Sequence, residues 1–169
     1  MKVVVLAGGI STEREISISS GIKVCRALRE KGHDAVLIDV YFGIENVDWE
    51  NAFLKDYSIE DAVAYINGFN SKVEQEKNIR KEFFGPNVLK LCKAADIVFL
   101  ALHGENGENG KVQAVFDLFG IPYTGSGYLG SALSMDKGLS KQIFRESGVP
   151  TPDSVTAHRN DCRKNIKEY

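Results

Sequence analysis

The stretch Lys2–Gly9, KVVVLAGG, decides the fold class of this chain. An uninterrupted apolar run follows Lys2 and stops at Gly8-Gly9, which is the pattern of a fully buried central strand that ends in a sharp turn. Such a strand needs cover on both of its faces. The stretch therefore predicts an α/β fold with this strand inside the sheet.

An amphipathic helix is predicted directly after the glycines, because apolar and small residues recur there at spacings of three and four. Lys31-Gly32 supplies a cationic last turn and a glycine stop. The next apolar run, from His33 to Val40, predicts a second strand. The helix positions that we expect to face the core are Ile16, Ser20, Val24, Ala27 and Leu28.

The pattern weakens between residues 41 and 84, which predicts an excursion with some helix. Its aromatic side chains would cover an edge of the sheet or lie at an interface, and covering the sheet is the more ordinary case. Asn87 is expected to cap a short helix over Val88 to Ala94. The elements predicted after it are a strand at 96–101, a glycine-rich loop at 104–110, a helix at 112–119, a short edge-like strand at 120–124, a helix ending near 135, a helix at 136–144 and a strand-like segment at 154–157.

The alternation of strands and helices predicts an open, mostly parallel α/β sheet with helices on both faces. Ligands of such sheets bind outside the carboxyl ends of the strands. The loops Gly8–Glu15 and His103–Gly110 each follow a strand, so we expect them to lie on the same rim.

Length and composition limit the alternatives. The 169 residues can bury one full core with a small second unit attached, and the net charge of −2 offers no electrostatic footprint for nucleic acid or an anionic membrane. The first apolar run is too short for a signal peptide or a membrane span, which favours a cytoplasmic protein. The three cysteines have no CxxC spacing and are predicted to be buried small residues: Cys25, Cys92 and Cys162.

Several rim residues could carry chemistry, although each has an ordinary structural explanation. Glu13 and Glu15 could hold a substrate ammonium or merely complement the helix end. His103 could contact a ligand or be a hydrogen-bonded structural group, and Lys137 could reach nucleotide phosphates or be a solvated surface lysine. The first loop lacks the patterns of a dinucleotide site and of a P-loop, which argues against nucleotide binding there.

Taken together, these residues fall in ordered blocks that resemble the signature blocks of the D-alanine–D-alanine ligases, which belong to the ATP-grasp superfamily. One block differs slightly, because the family commonly has Gly-Glu-Asp-Gly where this chain has Gly-Glu-Asn-Gly. The blocks are Leu6–Ser17, Ala101–Gly104, Gly107–Gly110 with Gln113, Pro122–Gly127 and Ala132–Lys137.

The resemblance implies a reaction in which ATP phosphorylates one D-alanine, and a second D-alanine attacks the acyl phosphate to give the dipeptide for peptidoglycan precursors. By position, Glu13 matches the glutamate that holds the ammonium of the first D-alanine and would be the catalytic residue of this chain. His103 matches the histidine near that substrate's carboxylate, Ser11 is expected to contact the substrate, and Lys137 matches a lysine on the ATP phosphates. Mg²⁺ would bridge the phosphates, with ligands expected beyond residue 169 and none in this chain.

The same resemblance suggests how the chain is organised. Residues 1–127 would form the amino-terminal, Rossmann-like pre-ATP-grasp domain, and residues 128–169 would begin the central ATP-grasp domain. The remaining ATP-site residues of the family have no counterpart in these 169 residues, so the chain by itself is expected to be inactive. A homodimer is a further expectation from the family.

Other functions remain open at this point. A D-alanine:D-serine or D-alanine:D-lactate ligase, or a carboxylase-type ATP-grasp enzyme, would share the architecture. A truncated, non-catalytic module for binding or dimerisation would keep the fold without its chemistry.

Overall fold

A computed structural model describes residues 1–53 and 56–157 of the chain. Within that part, three parallel strands form one sheet in the order β2-β1-β3. The strands are β1 at Lys2–Ala7, β2 at Asp34–Asp39 and β3 at Ile97–Leu100. The predicted central position of the first strand is confirmed.

Helices connect and follow these strands. The described α-helices are α1 at Arg14–Glu30, α2 at Ile59–Asn67, α3 at Val73–Ile79, α4 at Val88–Ala94, α5 at Lys111–Phe119, α6 at Tyr128–Met135 and α7 at Lys137–Glu146, with a 3-10 turn at Asn70–Lys72.

The sheet is covered by helices on both faces, as predicted. Val4 belongs to one buried cluster, which includes Leu91 of α4 and Phe116 of α5. Val5 belongs to the cluster on the other face, which includes Ile18 of α1. Alternate residues of β1 therefore enter different cores, which explains why the strand is apolar throughout.

Helix α1 buries only part of the predicted face: Val24 and Leu28 pack against the core as predicted, but Ala27 is exposed. Ile16 is 55% exposed, whereas the small residues Ser17, Gly21 and Cys25 are buried against the sheet. A Cβ at Gly21 would lie only 2.7 Å from the Cβ of Ala7. The helix thus packs close to β1 through small side chains, and hydrophobicity alone did not identify that face.

The excursion after β2 covers an edge of the sheet, as expected. The Tyr57 hydroxyl accepts a hydrogen bond from the Leu37 N–H at 2.9 Å and donates one to the Leu37 carbonyl at 3.1 Å. Leu37 lies in β2, which is an edge strand of the described sheet. The hydroxyl therefore pairs backbone groups that would otherwise be free to bind another strand.

Asn87 does not cap helix α4 with its side chain, although the helix has the predicted bounds. Its backbone is left-handed, with φ of 60°, and its side-chain amide donates to the carbonyls of Ile44 and Glu45 at 2.8 Å and 3.0 Å. The Asn87 side chain therefore holds the segment after β2 in place. These contacts join residues distant in the sequence, so local sequence patterns do not reveal them.

Two predicted strands are not formed. Residues 120–124 make only an isolated parallel bridge, between Tyr123 and Val98. Residues 154–157 contain no strand, since no described neighbour pairs with them.

Cys25 and Cys92 are buried free thiols, whereas Cys162 lies outside the described residues. None of the helices in the described part combines the length and apolar composition that a membrane span requires.

Candidate functional site

The two predicted rim loops meet at the carboxyl ends of β1 and β3. The Ser11 hydroxyl donates a hydrogen bond to the His103 carbonyl at 2.8 Å, and the Glu13 N–H donates to the Ser11 hydroxyl at 3.2 Å. Ser11, Glu13 and His103 are therefore brought together, as expected from strands that end at the same edge.

A buried hydroxyl joins the two strands just below these loops. Ser17 in α1 accepts a hydrogen bond from the Gly8 N–H at 2.9 Å and donates one to the Ala101 carbonyl at 2.7 Å. The Ser17 side chain is fully buried, so water does not compete for these groups. The separation of the loops is thus set from inside the fold.

Gly104 leaves space for the Glu13 side chain at the rim. Gly104 has φ of 75°, a conformation that favours glycine, and a Cβ there would lie 2.9 Å from Oε2 of Glu13 and 3.0 Å from the Ser11 Cβ. Glu13 itself is exposed. The absence of a side chain at position 104 therefore lets an exposed carboxylate lie against the second loop.

The His103 ring has a polar partner on each nitrogen. Nε2 lies 3.4 Å from the Ser20 hydroxyl, and Nδ1 lies 3.7 Å from Oε1 of Glu108. The other oxygen of Glu108 accepts a hydrogen bond from the Gly104 N–H at 3.0 Å. The imidazole is therefore oriented by α1 on one side and by the glycine-rich loop on the other.

A buried arginine fixes the end of the first loop. Nη1 of Arg14 donates to the Gly9 carbonyl at 2.8 Å and lies 2.6 Å from Oδ2 of Asp39. Nη2 donates to the Ile66 carbonyl at 3.3 Å, and Nε donates to the Asn70 side chain at 3.0 Å. Contacts with four residues therefore hold Arg14, which directly follows Glu13 in the chain.

The charges around the cleft suit a small molecule that carries both signs. Glu13 and Glu108 present carboxylates that can pair with an ammonium group. His103 can donate a hydrogen bond to a carboxylate, and the positive end of the α1 dipole favours an anion nearby. A narrow cleft beside these groups is lined by Ser11, His103 and Phe83.

Lys137 lies outside this cluster. It is the first residue of α7, where the Asp136 side chain accepts a hydrogen bond from the Leu139 N–H at 3.0 Å and caps the helix. Lys137 is exposed, and no hydrogen bond or ion pair connects it to another residue in the described ranges. Its position leaves the ammonium group open to solvent.

The sequence patterns missed several residues that shape the cleft. Ser20 was assigned to the apolar face of α1, and Arg14 and Asp39 were not considered. The available signal for the ion pair was a charged residue at the end of an apolar strand, which is the position of Asp39. Within residues 1–53 and 56–157, no three His, Cys, Asp or Glu side chains form a group that could hold a metal ion.

The chain matches one protein family over most of its length. The family of the D-ala D-ala ligase N-terminus matches residues 2–126. The matched range includes both rim loops and all three strands.

Curated relatives extend this similarity. The chain is 50% identical over 158 residues to a D-alanine–D-alanine ligase of Lacticaseibacillus casei strain BL23, which covers 89% of this chain and 43% of the relative. It is 47% identical over 173 residues to the same enzyme of Pediococcus pentosaceus, which covers 95% of this chain and 47% of the relative. The chain therefore spans less than half the length of these relatives.

Solved structures share the fold. A D-alanine–D-alanine ligase from Bacillus anthracis complexed with ATP has a TM-score of 0.60 at 27% identity, covering 97% of this chain and 44% of that one. The VanG D-Ala:D-Ser ligase from Enterococcus faecalis has a TM-score of 0.62 at 27% identity, covering 99% of this chain and 48% of that one. With these likenesses and the family match, the chain belongs to the family of D-alanine–D-alanine ligases, whose amino-terminal part it matches.

Proposed function

We propose that this chain is the amino-terminal, first-substrate part of an ATP-dependent D-alanine–D-alanine ligase, which makes the dipeptide for peptidoglycan precursors. The observation that supports the proposal is the contact between the loops that carry Ser11, Glu13 and His103, at the carboxyl ends of β1 and β3. The identity of 50% to a ligase of that name supports the choice of substrate.

In this proposal Glu13 holds the ammonium of the first D-alanine. Glu13 is exposed at the rim, and a charge-assisted hydrogen bond to an ammonium is among the stronger polar contacts in proteins. His103 lies beside the substrate's carboxylate, which becomes the phosphorylated group. The Ser20 and Glu108 contacts would orient the ring. Ser11, whose hydroxyl donates to the His103 carbonyl, is proposed to contact the substrate as well.

ATP would react from the side of α7, where Lys137 is proposed to neutralise phosphate oxygens. The exposed ammonium of Lys137 makes no contact with described residues that would have to be broken first. Mg²⁺ would offset phosphate charge in such a transfer. Its ligands are proposed to come from residues outside this sequence.

The wider organisation follows from the same assignment. Residues 1–127 are proposed to form the substrate domain, and residues 128–169 to begin the central ATP-grasp domain. A cytoplasmic location and a homodimer are part of the proposal, without nucleic acid or membrane partners.

The strongest alternative substrate is D-serine in the second position, because one solved structure with this fold is a D-Ala:D-Ser ligase. The relatives from Lacticaseibacillus casei and Pediococcus pentosaceus, which are 50% and 47% identical to this chain, are both D-alanine–D-alanine ligases. Their identity favours D-alanine as the second substrate. The first-substrate cleft would be the same in either enzyme.

The test joins residues 1–157 of this chain to the remaining part of the Lacticaseibacillus casei relative. We expect ATP-dependent formation of D-alanyl-D-alanine, measured by dipeptide chromatography and ADP release. A folded chimera that binds ATP but forms no dipeptide would contradict the proposal and favour a non-catalytic module. The relative's own intact enzyme is the positive control.

A further inference from the structure

A second cavity lies on the far side of β2 from β1, between β2 and α2. Its volume is about 310 Å³, which reaches the lower end of the range for small-molecule sites. The walls are mainly apolar, and two tyrosines stand at its sides. The lining residues that matter here are Leu37, Ile44, Tyr57, Ala62, Tyr65 and Ile66.

The rim of this cavity is acidic. Asp61 lines it, and Glu45 is close enough to help raise the pKa of Tyr65, after the larger effect of burial. Asp39 also lines the cavity and, after Glu45, helps raise the pKa of Tyr65, although Arg14 at 2.6 Å offsets part of its charge. A cationic group would therefore find unbalanced carboxylates at the rim, whereas an anion would be repelled.

We propose that this cavity binds a small molecule with an apolar, aromatic or branched body and one ammonium group. The body would lie against Ala62 and the two tyrosine rings, which provide flat apolar surfaces. The ammonium would lie at the rim near Asp61. The site is separate from the cleft at Glu13 and His103, and it does not depend on the proposed ligase activity.

Two residues that line the cavity also contact Arg14, which lies in the first rim loop. Asp39 and Ile66 line the cavity, and both also hold Arg14, which follows Glu13 in the chain. A ligand that displaces either residue would shift Arg14. Binding in the cavity should therefore be detectable at the first rim loop.

The experiment is an NMR titration of the ¹⁵N-labelled 169-residue chain at low salt, where exposed charges are least screened. The probes are 2-phenylethylamine and phenylacetate, which have the same ring and opposite charges. We expect the amine to bind about tenfold more tightly than the carboxylate, with shifts at Asp39, Ala62, Ile66 and the amide of Arg14.

Three variants make the test specific. Ala62→Trp fills the cavity and should abolish binding of the amine, whereas Ala64→Trp, exposed on the same helix, should leave it unchanged. If Ala62→Trp fails to fold, Asp61→Asn remains, because Asp61 is exposed and its loss should lower the amine-to-carboxylate ratio about twofold. Equal binding of both probes, binding that survives Ala62→Trp, or no shifts up to about 10 mM amine would overturn the proposal.

Discussion

Arg14 and Asp39 form an ion pair inside the protein, with Nη1 of Arg14 2.6 Å from Oδ2 of Asp39. Their side chains are 7% and 0% exposed. Arg14 begins α1 directly after Glu13, and Asp39 ends β2. The pair therefore ties the first rim loop to the end of a neighbouring strand.

Asp39→Asn should destabilise the chain by about 3–5 kcal/mol, because the buried guanidinium loses its charged partner. The free energy of unfolding in urea measures this. The matched control is Glu60→Gln, which removes the exposed partner of Arg26 at 3.1 Å and should leave the unfolding midpoint unchanged. Similar effects for the two variants would show that the buried pair has no special structural role.

Glu13→Gln, made in a complete ligase that carries this domain, should lower the rate with D-alanine because the substrate ammonium loses a charged partner. Because the bound substrate would shield the Glu13 carboxylate from water, kcat/KM is expected to fall about 30- to 900-fold, which corresponds to about 2–4 kcal/mol. Glu15→Gln, exposed in the first turn of the same helix, is the control and should retain activity. An unchanged rate at saturating and limiting D-alanine would rule out this role for Glu13.

Gly104→Ala should disturb the cleft more than it disturbs the fold. The new Cβ would press on Glu13 and Ser11, in addition to a cost of about 1–2 kcal/mol for the left-handed backbone. Gly120→Ala is the matched control, since it has φ of 63° and no neighbour within 4 Å. In the complete ligase, only Gly104→Ala should raise KM for D-alanine, and an equal KM in both variants would speak against the contact.

The 169-residue chain alone should release no ADP from ATP in the presence of D-alanine and magnesium. The chain spans less than half the length of its curated relatives, and one exposed lysine cannot position a triphosphate. A coupled ADP assay against a no-enzyme blank checks this. Turnover clearly above the blank would mean that the described residues form a more complete site than we infer.

The two buried thiols should make stability depend on pH in alkaline solution. Burial raises the pKa of Cys25 to about 11 and that of Cys92 to about 12. An unfolded thiol ionises near pH ~8.5, so the contribution is fully present below that pH and is lost as pH rises toward the folded-state values.

Urea midpoints between pH 8 and 11 measure this effect in the Cys162→Ser background. The double variant Cys25→Ala with Cys92→Ala, in the same background, should show a shallower decline over that pH range. Equal slopes in the two proteins would contradict the raised pKa values.

The strands and helix boundaries were predictable where a local pattern determines them. The run that forms β1 and the recurrence that forms α1 both follow from short-range preferences. The Asn87 contacts, the Arg14 ion pair and the buried face of α1 depend on residues distant in sequence. Local patterns therefore predicted the helices and the three strands of the sheet but also two strands that do not form, while the three-dimensional arrangement decided which polar groups are buried together.

The candidate site was predictable to the extent that strand ends determine it. Glu13 and His103 were placed on one rim because parallel strands end together, and the structure brings their loops into contact. The orienting contacts from Ser20 and Glu108 were not predicted, since they require the packing of α1 against the second loop. The functional roles of these residues stay predictions until activity is measured.

The Ser17 hydroxyl bridges the ends of β1 and β3 through contacts that involve only protein groups. Because this bridge is buried, the two loops do not have to be ordered when a ligand arrives. A small substrate makes few contacts and cannot offset a large loss of chain entropy. The bridge thus pre-organises the cleft, which is the condition under which a molecule as small as an amino acid can be bound selectively.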